Sequence, residues 1–285
     1  MYNLIVNMHK NIEFLNSLSI ENEDSFKYIL ENVRTVEKGD VIYIDFADID
    51  KLDSKNLPLL ILLTYLLSKV VSQSIYIVAN QEILDYLFSI DFFELGYVSA
   101  KNLKRNIREY KYVVIPIKKF IGTRGRIDLL QLARIKLSEH KEIMADVFQV
   151  LHNLSDNCLE HTSQDPENVD CFAFVERTSN LVKVVVMDFG EGFYESFQRC
   201  QNINYEQGEE YILFSILEQH FSSRGDKGAG IWTIEDLVNE RKGKLLIISG
   251  NSMAHYGEGM IQQLKRIPFI SGSILYVEIE EKWDN

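Results

Sequence analysis

Short β-branched and aromatic runs alternate with broader apolar faces over the first hundred positions. Residues 41–46 follow the turn-forming Gly39 and Asp40 and read as a buried strand. Residues 57–71 supply a wide apolar helical face, with Asp53 and Ser54 placed to cap it and Pro58 tolerated near its start. A second strand is expected at 74–79 and a second helix at 81–89. Strand, helix, strand, helix at this spacing predicts a parallel sheet with right-handed crossovers. No strand is evident before residue 40.

Beyond the first hundred residues the pattern changes. One long helical period runs over 127–161, and strands are expected at 170–177 and 181–188, on either side of a turn at 178–180. A less regular, polar segment fills 190–227. A helix at 231–240 and strands at 244–248 and 273–279 complete the reading. There is no internal repeat. The boundary is placed near residue 105, giving an N-terminal domain over 1–105 and a C-terminal domain over 106–285.

The chain has 285 residues, with 30 Lys and Arg against 42 Asp and Glu, for a net charge of −12. Hydrophobic content of 46% and charged content of 25% describe a folded chain, not a disordered one. Charge of this sign repels phosphate backbones and anionic lipid, so neither nucleic acid nor membrane is an expected partner. The longest apolar run, 57–67, is too short to span a bilayer, and no basic region leads into a secretory signal. Cys158, Cys171 and Cys200 lack metal-ligand spacing and cannot all pair, which fits reduced thiols in the cytoplasm. Between 101 and 126 nine positions are Lys or Arg and Glu109 is the only acid. That stretch reads either as a docking patch or as a solvated connector leading into an edge strand.

Three segments carry candidate chemistry. Asn153 and Asn157 lie four apart, on one face of the long helix. Two neutral amides there suit a hydrated Mg²⁺ and its phosphates, though a polar helix face is also what solvent exposure alone produces. Asp188 ends an apolar strand and is followed by Gly190 and Gly192. A carboxylate so placed accepts a hydrogen bond from an adenine amino group, and the glycines let a ring approach the backbone; an ordinary strand-to-loop turn has the same pattern. Lys227, Gly228 and Gly230 open a helix, where free N–H groups favour phosphate.

Taken in order, with the strand that begins at Gly272 and Ser273, these segments resemble the GHKL superfamily, the Bergerat ATP-binding fold of gyrases, chaperones, histidine kinases and MutL. The resemblance covers roughly 125–280 and implies an α/β sandwich with helices on one face of a mixed sheet. It implies that Asn157 chelates Mg²⁺, with Asn153 beside it. Asp188 would bind adenine, Gly190 and Gly192 would shape its pocket, and Gly228 and Gly230 would cradle the triphosphate of ATP. Arg224 and Lys227 would lie on the lid. Hydrolysing members and the anti-sigma-factor serine kinases place a glutamate base where this chain has Asn153, and an amide takes no proton at neutral pH. His152 and His161 are the nearest substitutes, and each also reads as a packing or capping residue. His140, on the preceding helical stretch, stands too close for a usual phosphoacceptor.

Residues 40–96 resemble a STAS domain, the fold of anti-sigma-factor antagonists, through the 41–50 strand region, Leu52, Asp53 and Ser54, and the apolar helix that follows. There the antagonists' phosphorylated serine falls on Ser54, for which a plain helix cap is the favoured reading. Together the resemblances imply a cytoplasmic, Mg·ATP-binding signalling protein whose nucleotide-ordered lid controls a protein partner or homodimer. A serine protein kinase of a partner-switching system and a non-catalytic interaction module are the alternatives.

Overall fold

In the computed structural model the early alternation becomes a three-stranded parallel sheet in the order β1-β2-β3. The structure describes residues 9–71, 74–99, 113–161, 166–178, 180–201, 208–218 and 229–281. It divides into two units, Met1–Tyr110 and Lys111–Asn285. Among the described residues no helix is long and apolar enough to cross a membrane.

The first unit contains β1 (His9–Glu13), α1 (Glu23–Arg34), β2 (Val41–Asp45), α2 (Leu57–Val70), β3 (Ile75–Val78) and α3 (Gln81–Ser89). β1 and α1 precede the first expected strand. In β1 only Ile12 is buried, so this polar edge strand gives almost no alternation to read. Asn22 caps α1 by accepting the Asp24 N–H at 3.0 Å, and Asn80 caps α3 by accepting the Ile83 N–H at 2.9 Å. α2 is buried over most of its length, consistent with its nearly unbroken apolar sequence. Asp53 caps the turn that leads into it: Asp53 Oδ1 accepts the Lys55 N–H and Asn56 Oδ1 accepts the Asp53 N–H, both at 2.7 Å, and the Asp53 carbonyl accepts the Leu57 N–H at 2.9 Å. Pro58 removes one donor from the first turn, so a side-chain cap there has less to satisfy.

The second unit contains β4 (Val113–Phe120), α4 (Gly122–Leu137), α5 (Lys141–His161), β5 (Cys171–Arg177) and β6 (Leu181–Asp188). There follow α6 (Phe193–Gln201), α7 (Gly208–Glu218), α8 (Ala229–Glu240), β7 (Lys244–Ser249), β8 (Ser252–Gly257), β9 (Met260–Arg266) and β10 (Ser273–Glu280). Its seven strands lie in the order β4-β5-β6-β10-β7-β8-β9. Every neighbouring pair is antiparallel, which corrects the expected mixed sheet. β10 inserts between β6 and β7, and those two, which run the same way, never become neighbours. One face of the sheet, with Ala173, Val184, Val186, Ile247, Leu275 and Val277, shares a core with residues of all five helices. The opposite face carries Phe172, Met187, Leu246, Ile248 and Tyr276, which are also buried.

Three further differences have local causes. The single helical period over 127–161 is two helices, broken at Ser138, Glu139 and His140. His140 therefore lies in a turn, and its ring nitrogen Nδ1 is 2.9 Å from Arg177 Nη1. The polar segment after Gly190 includes α6 and α7. β8 and β9 form a hairpin closed by Glu258 and Gly259, both at positive φ, as a two-residue turn requires. Its outer strand is polar and escaped the apolar pattern. At the other edge, Pro116 sits in β4 where the register with β5 shifts, a position at which its missing N–H is tolerated.

Candidate functional site

Asp188 is the last residue of β6, at the middle of the sheet and 2% exposed. Its register partners are Cys171 on β5 and Ser273 on β10. Four donors converge on its carboxylate. Ser273 Oγ donates to Oδ2 at 2.5 Å and the Gly190 N–H donates to Oδ1 at 2.8 Å. The Ser273 N–H and the Cys158 thiol donate as well. Burial nevertheless prevails and pushes the Asp188 carboxyl up to about 6, with these donors opposing it. Burial also pushes the Cys158 thiol well up, and Cys171 and Asp188 act in the same direction. A protonated thiol is what a donor to a carboxylate requires.

The backbone around Asp188 is closely packed. Gly272 has a φ of +86°, and a Cβ there would stand 2.1 Å from the Asp188 carbonyl oxygen. Gly192 has a φ of +82°, and its Cβ would fall 2.7 Å from Ser249 Oγ. Only glycine fits either position without moving main chain. Ser249 Oγ accepts the Phe193 N–H at 2.9 Å and donates to Glu209 Oε1 at 2.7 Å. Glu209, the second residue of α7, also accepts the N–H groups of Asn251 and Tyr194. A buried carboxylate thus ties the starts of α6 and α7 to the end of β7. Ser271 Oγ donates to the Gly190 carbonyl at 2.7 Å, fixing the glycine turn from the β10 side.

α5 links Asp188 to the amide pair. Cys158 faces Asp188, while its neighbour Asn157 faces α8. A Cβ built on Gly230 would be 3.7 Å from Asn157 Oδ1 and 3.8 Å from Asn153 Cβ, ordinary contact distances. The Asn157 amide nitrogen is buried and has no hydrogen-bond partner among the described residues. An unpartnered amide donor beside a helix N-terminus is a group that an acceptor such as a phosphate oxygen can satisfy. The structure therefore brings Asn153, Asn157, Asp188, Gly190, Gly192 and Gly230 into one region of the second unit. Arg224, Lys227 and Gly228 lie outside the described residues. Ser54 belongs to the first unit, in the turn before α2, and is 0% exposed.

The groups that stand nearest a base role are engaged elsewhere. Arg126 Nη2 is 2.7 Å from Asp156 Oδ2 and 3.2 Å from His152 Nε2, and His152 Nδ1 is 3.4 Å from the same Asp156 oxygen. Among the described residues there is no cluster of three or more His, Cys, Asp or Glu able to hold a metal. Sequence reading missed Ser273 as a contact, Cys158, Ser249 and Glu209. Only strand register and helix placement, which no local pattern encodes, bring them to the glycine turn.

No protein-family model matches the chain, and no curated protein matches it. Solved structures similar to it include nucleotide-free crystal forms of the catalytic domain of the histidine kinase ThkA, at 17% identity. One covers 58% of this chain and 97% of its own with a TM-score of 0.31. Another covers 58% and 95% with a TM-score of 0.30.

Proposed function

We propose that the second unit binds Mg·ATP and that the chain is a nucleotide-dependent signalling protein, with a STAS-like first unit and a protein partner under its control. The observation that carries this reading is Asp188. It is a buried carboxylate at a strand end, held by four donors beside two glycines that admit no side chain. When ionised it accepts hydrogen bonds only, which matches an adenine amino group and rejects a carbonyl. Phosphates would meet the N-terminus of α8 at Gly230, with Gly228, Lys227 and Arg224 on the segment leading into it.

The residues present fit Mg²⁺ held with phosphate. Asn157 would offer its amide oxygen to the ion while its unpartnered amide N–H suits a phosphate oxygen, Asn153 brings a second amide, and neither adds negative charge. A single protein ligand plus phosphate and water is the usual magnesium arrangement, so the lack of a carboxylate cage among the described residues is no obstacle. The ion would neutralise phosphate charge. Binding, not turnover, is the activity proposed: Asn153 takes no proton, and Asp156 is tied to Arg126.

Calorimetric titration with ATP, with and without Mg²⁺, tests this. Asp188→Ala is expected to lose affinity in both conditions, and Asn157→Ala only the part that Mg²⁺ adds. A wild-type protein that binds no ATP overturns the proposal.

A further inference from the structure

Glu209 is buried, and three donors converge on it. Ser249 Oγ donates to its Oε1 at 2.7 Å, and the N–H groups of Asn251 and Tyr194 donate to the same carboxylate. A carboxylate carries lone pairs enough for all three donors and brings no hydrogen of its own. The main chain makes room for it: Gly250 has a φ of +53°, and a Cβ there would run into Glu209 Oε2. Burial raises the Glu209 carboxyl above the ordinary glutamate value, with the three hydrogen bonds opposing it. An apolar side chain would fill this space without that cost, so the carboxylate is best explained by the groups it holds.

Those groups form the exit of the glycine turn. With its hydrogen directed at Glu209, Ser249 Oγ is left as an acceptor, and it accepts the Phe193 N–H at 2.9 Å. Phe193 and Tyr194 open α6 directly after Gly192, so two successive N–H groups there are fixed, one through Ser249 and one by Glu209 itself. The other end of the turn is Asp188, whose Oδ1 accepts the Gly190 N–H. A second connection crosses the sheet. The Gly250 N–H donates to the Gly272 carbonyl at 3.4 Å, and Gly272 packs against the Asp188 main chain. We propose that Glu209 is a positioning residue for the nucleotide: through Ser249 and the start of α6 it holds the turn from Gly190 to Gly192 where adenine meets Asp188. The inference rests on the reading that the second unit binds ATP.

The test uses the full chain and calorimetry with ATP and with inosine triphosphate, which differs at the amine that Asp188 would read, both in Mg²⁺ and below the melting transition of every variant. Glu209→Ala should weaken ATP about tenfold and inosine triphosphate far less, so that the preference of the wild type shrinks. A merely structural loss would weaken both alike and keep the ratio. Ser249→Ala should act in the same way, and the double variant should bind no more weakly than the weaker single one, because both changes interrupt one relay. Glu209→Gln, which keeps the size and one acceptor oxygen, should restore most of the preference. Glu210→Ala, which removes the neighbouring carboxylate that pairs with Arg266 at the surface, should bind as wild type. Should Glu209→Ala fail to fold, Ser249→Ala gives the same reading. An unchanged ratio in the folded variants, or additive losses in the double variant, overturns this inference alone. A wild type that binds neither nucleotide overturns the nucleotide reading and this inference with it.

Discussion

At Asp188, burial competes with four hydrogen-bond donors, and the competition sets a testable pH dependence. The folded carboxyl sits near 6 against 3.8 for an ordinary aspartate. Between those values the folded protein binds more protons than the unfolded one, so stability falls as pH rises from about 4 to about 6. Asp188→Asn removes that slope, and thermal melts of both proteins across the window check it; parallel curves would contradict the assignment. For ligand binding the sign reverses. An adenine amino group favours the ionised acceptor, so ATP affinity should rise as pH climbs through about 6 and then level off. Proton release on binding, read by calorimetry in buffers of different ionisation enthalpy, should appear near pH 6 and fade by pH 8. Glu235 provides an independent case on α8. Burial, with Asp236 and Glu218 adding to it, raises its carboxyl from 4.5 to about 8. Stability should therefore fall between those pH values, and Glu235→Gln should gain on wild type steadily from pH 5 to pH 8. A constant difference in Tm would contradict that.

Elements place these residues, and the glycines at their ends separate what the fold needs from what the ligand needs. A Cβ on Gly272 meets backbone at 2.1 Å and sits at positive φ, so Gly272→Ala should cost on the order of 3 kcal/mol, a Tm drop of roughly 6–12 °C. On Gly230 the same Cβ finds room beside Asn157, so Gly230→Ala should melt within about 2 °C of wild type while weakening ATP, because the added methyl occupies space beside the amide pair. Melts and nucleotide titrations of the two variants check this, and equal destabilisation would refute the distinction. Sequence pattern revealed the elements with strong periods: β5, β6, α8, β7 and β10 fall within a residue or two of expectation. It merged α4 with α5, because the break at Ser138 to His140 contains neither Gly nor Pro. It missed α6 and α7, whose helical faces interrupt polar sequence, and the polar β9. The Asn153–Asn157 face and the glycine turn were readable locally. Ser273, Cys158 and Glu209 were not, because their partners lie 85, 30 and 40 positions away in Asp188, Asp188 and Ser249.

At the scale of the whole molecule, a chain of net charge −12 is proposed to hold a polyanion. Local fields resolve the conflict. Neutral amides at Asn153 and Asn157, a helix N-terminus at Gly230 and the ion that would accompany the phosphates would outweigh a distant acidic surface that salt screens. Division into Met1–Tyr110 and Lys111–Asn285 gives each unit its own sheet, with opposite strand senses: parallel in the first, antiparallel in the second. The first was legible from alternating strand and helix. The second was not, because the insertion of β10 between β6 and β7 is a long-range event that local pattern cannot specify. The central claim is that Asp188 reads the adenine amino group, and it is tested most directly by comparing ATP with inosine triphosphate, which carries an oxygen where adenine has that amine. Losing one charge-assisted hydrogen bond and facing a carbonyl with a carboxylate costs about 1.5–3 kcal/mol, so ATP should bind at least roughly tenfold more tightly by calorimetry in Mg²⁺ at pH 7.5. Equal affinity for the two nucleotides, or affinity for neither, would contradict the account.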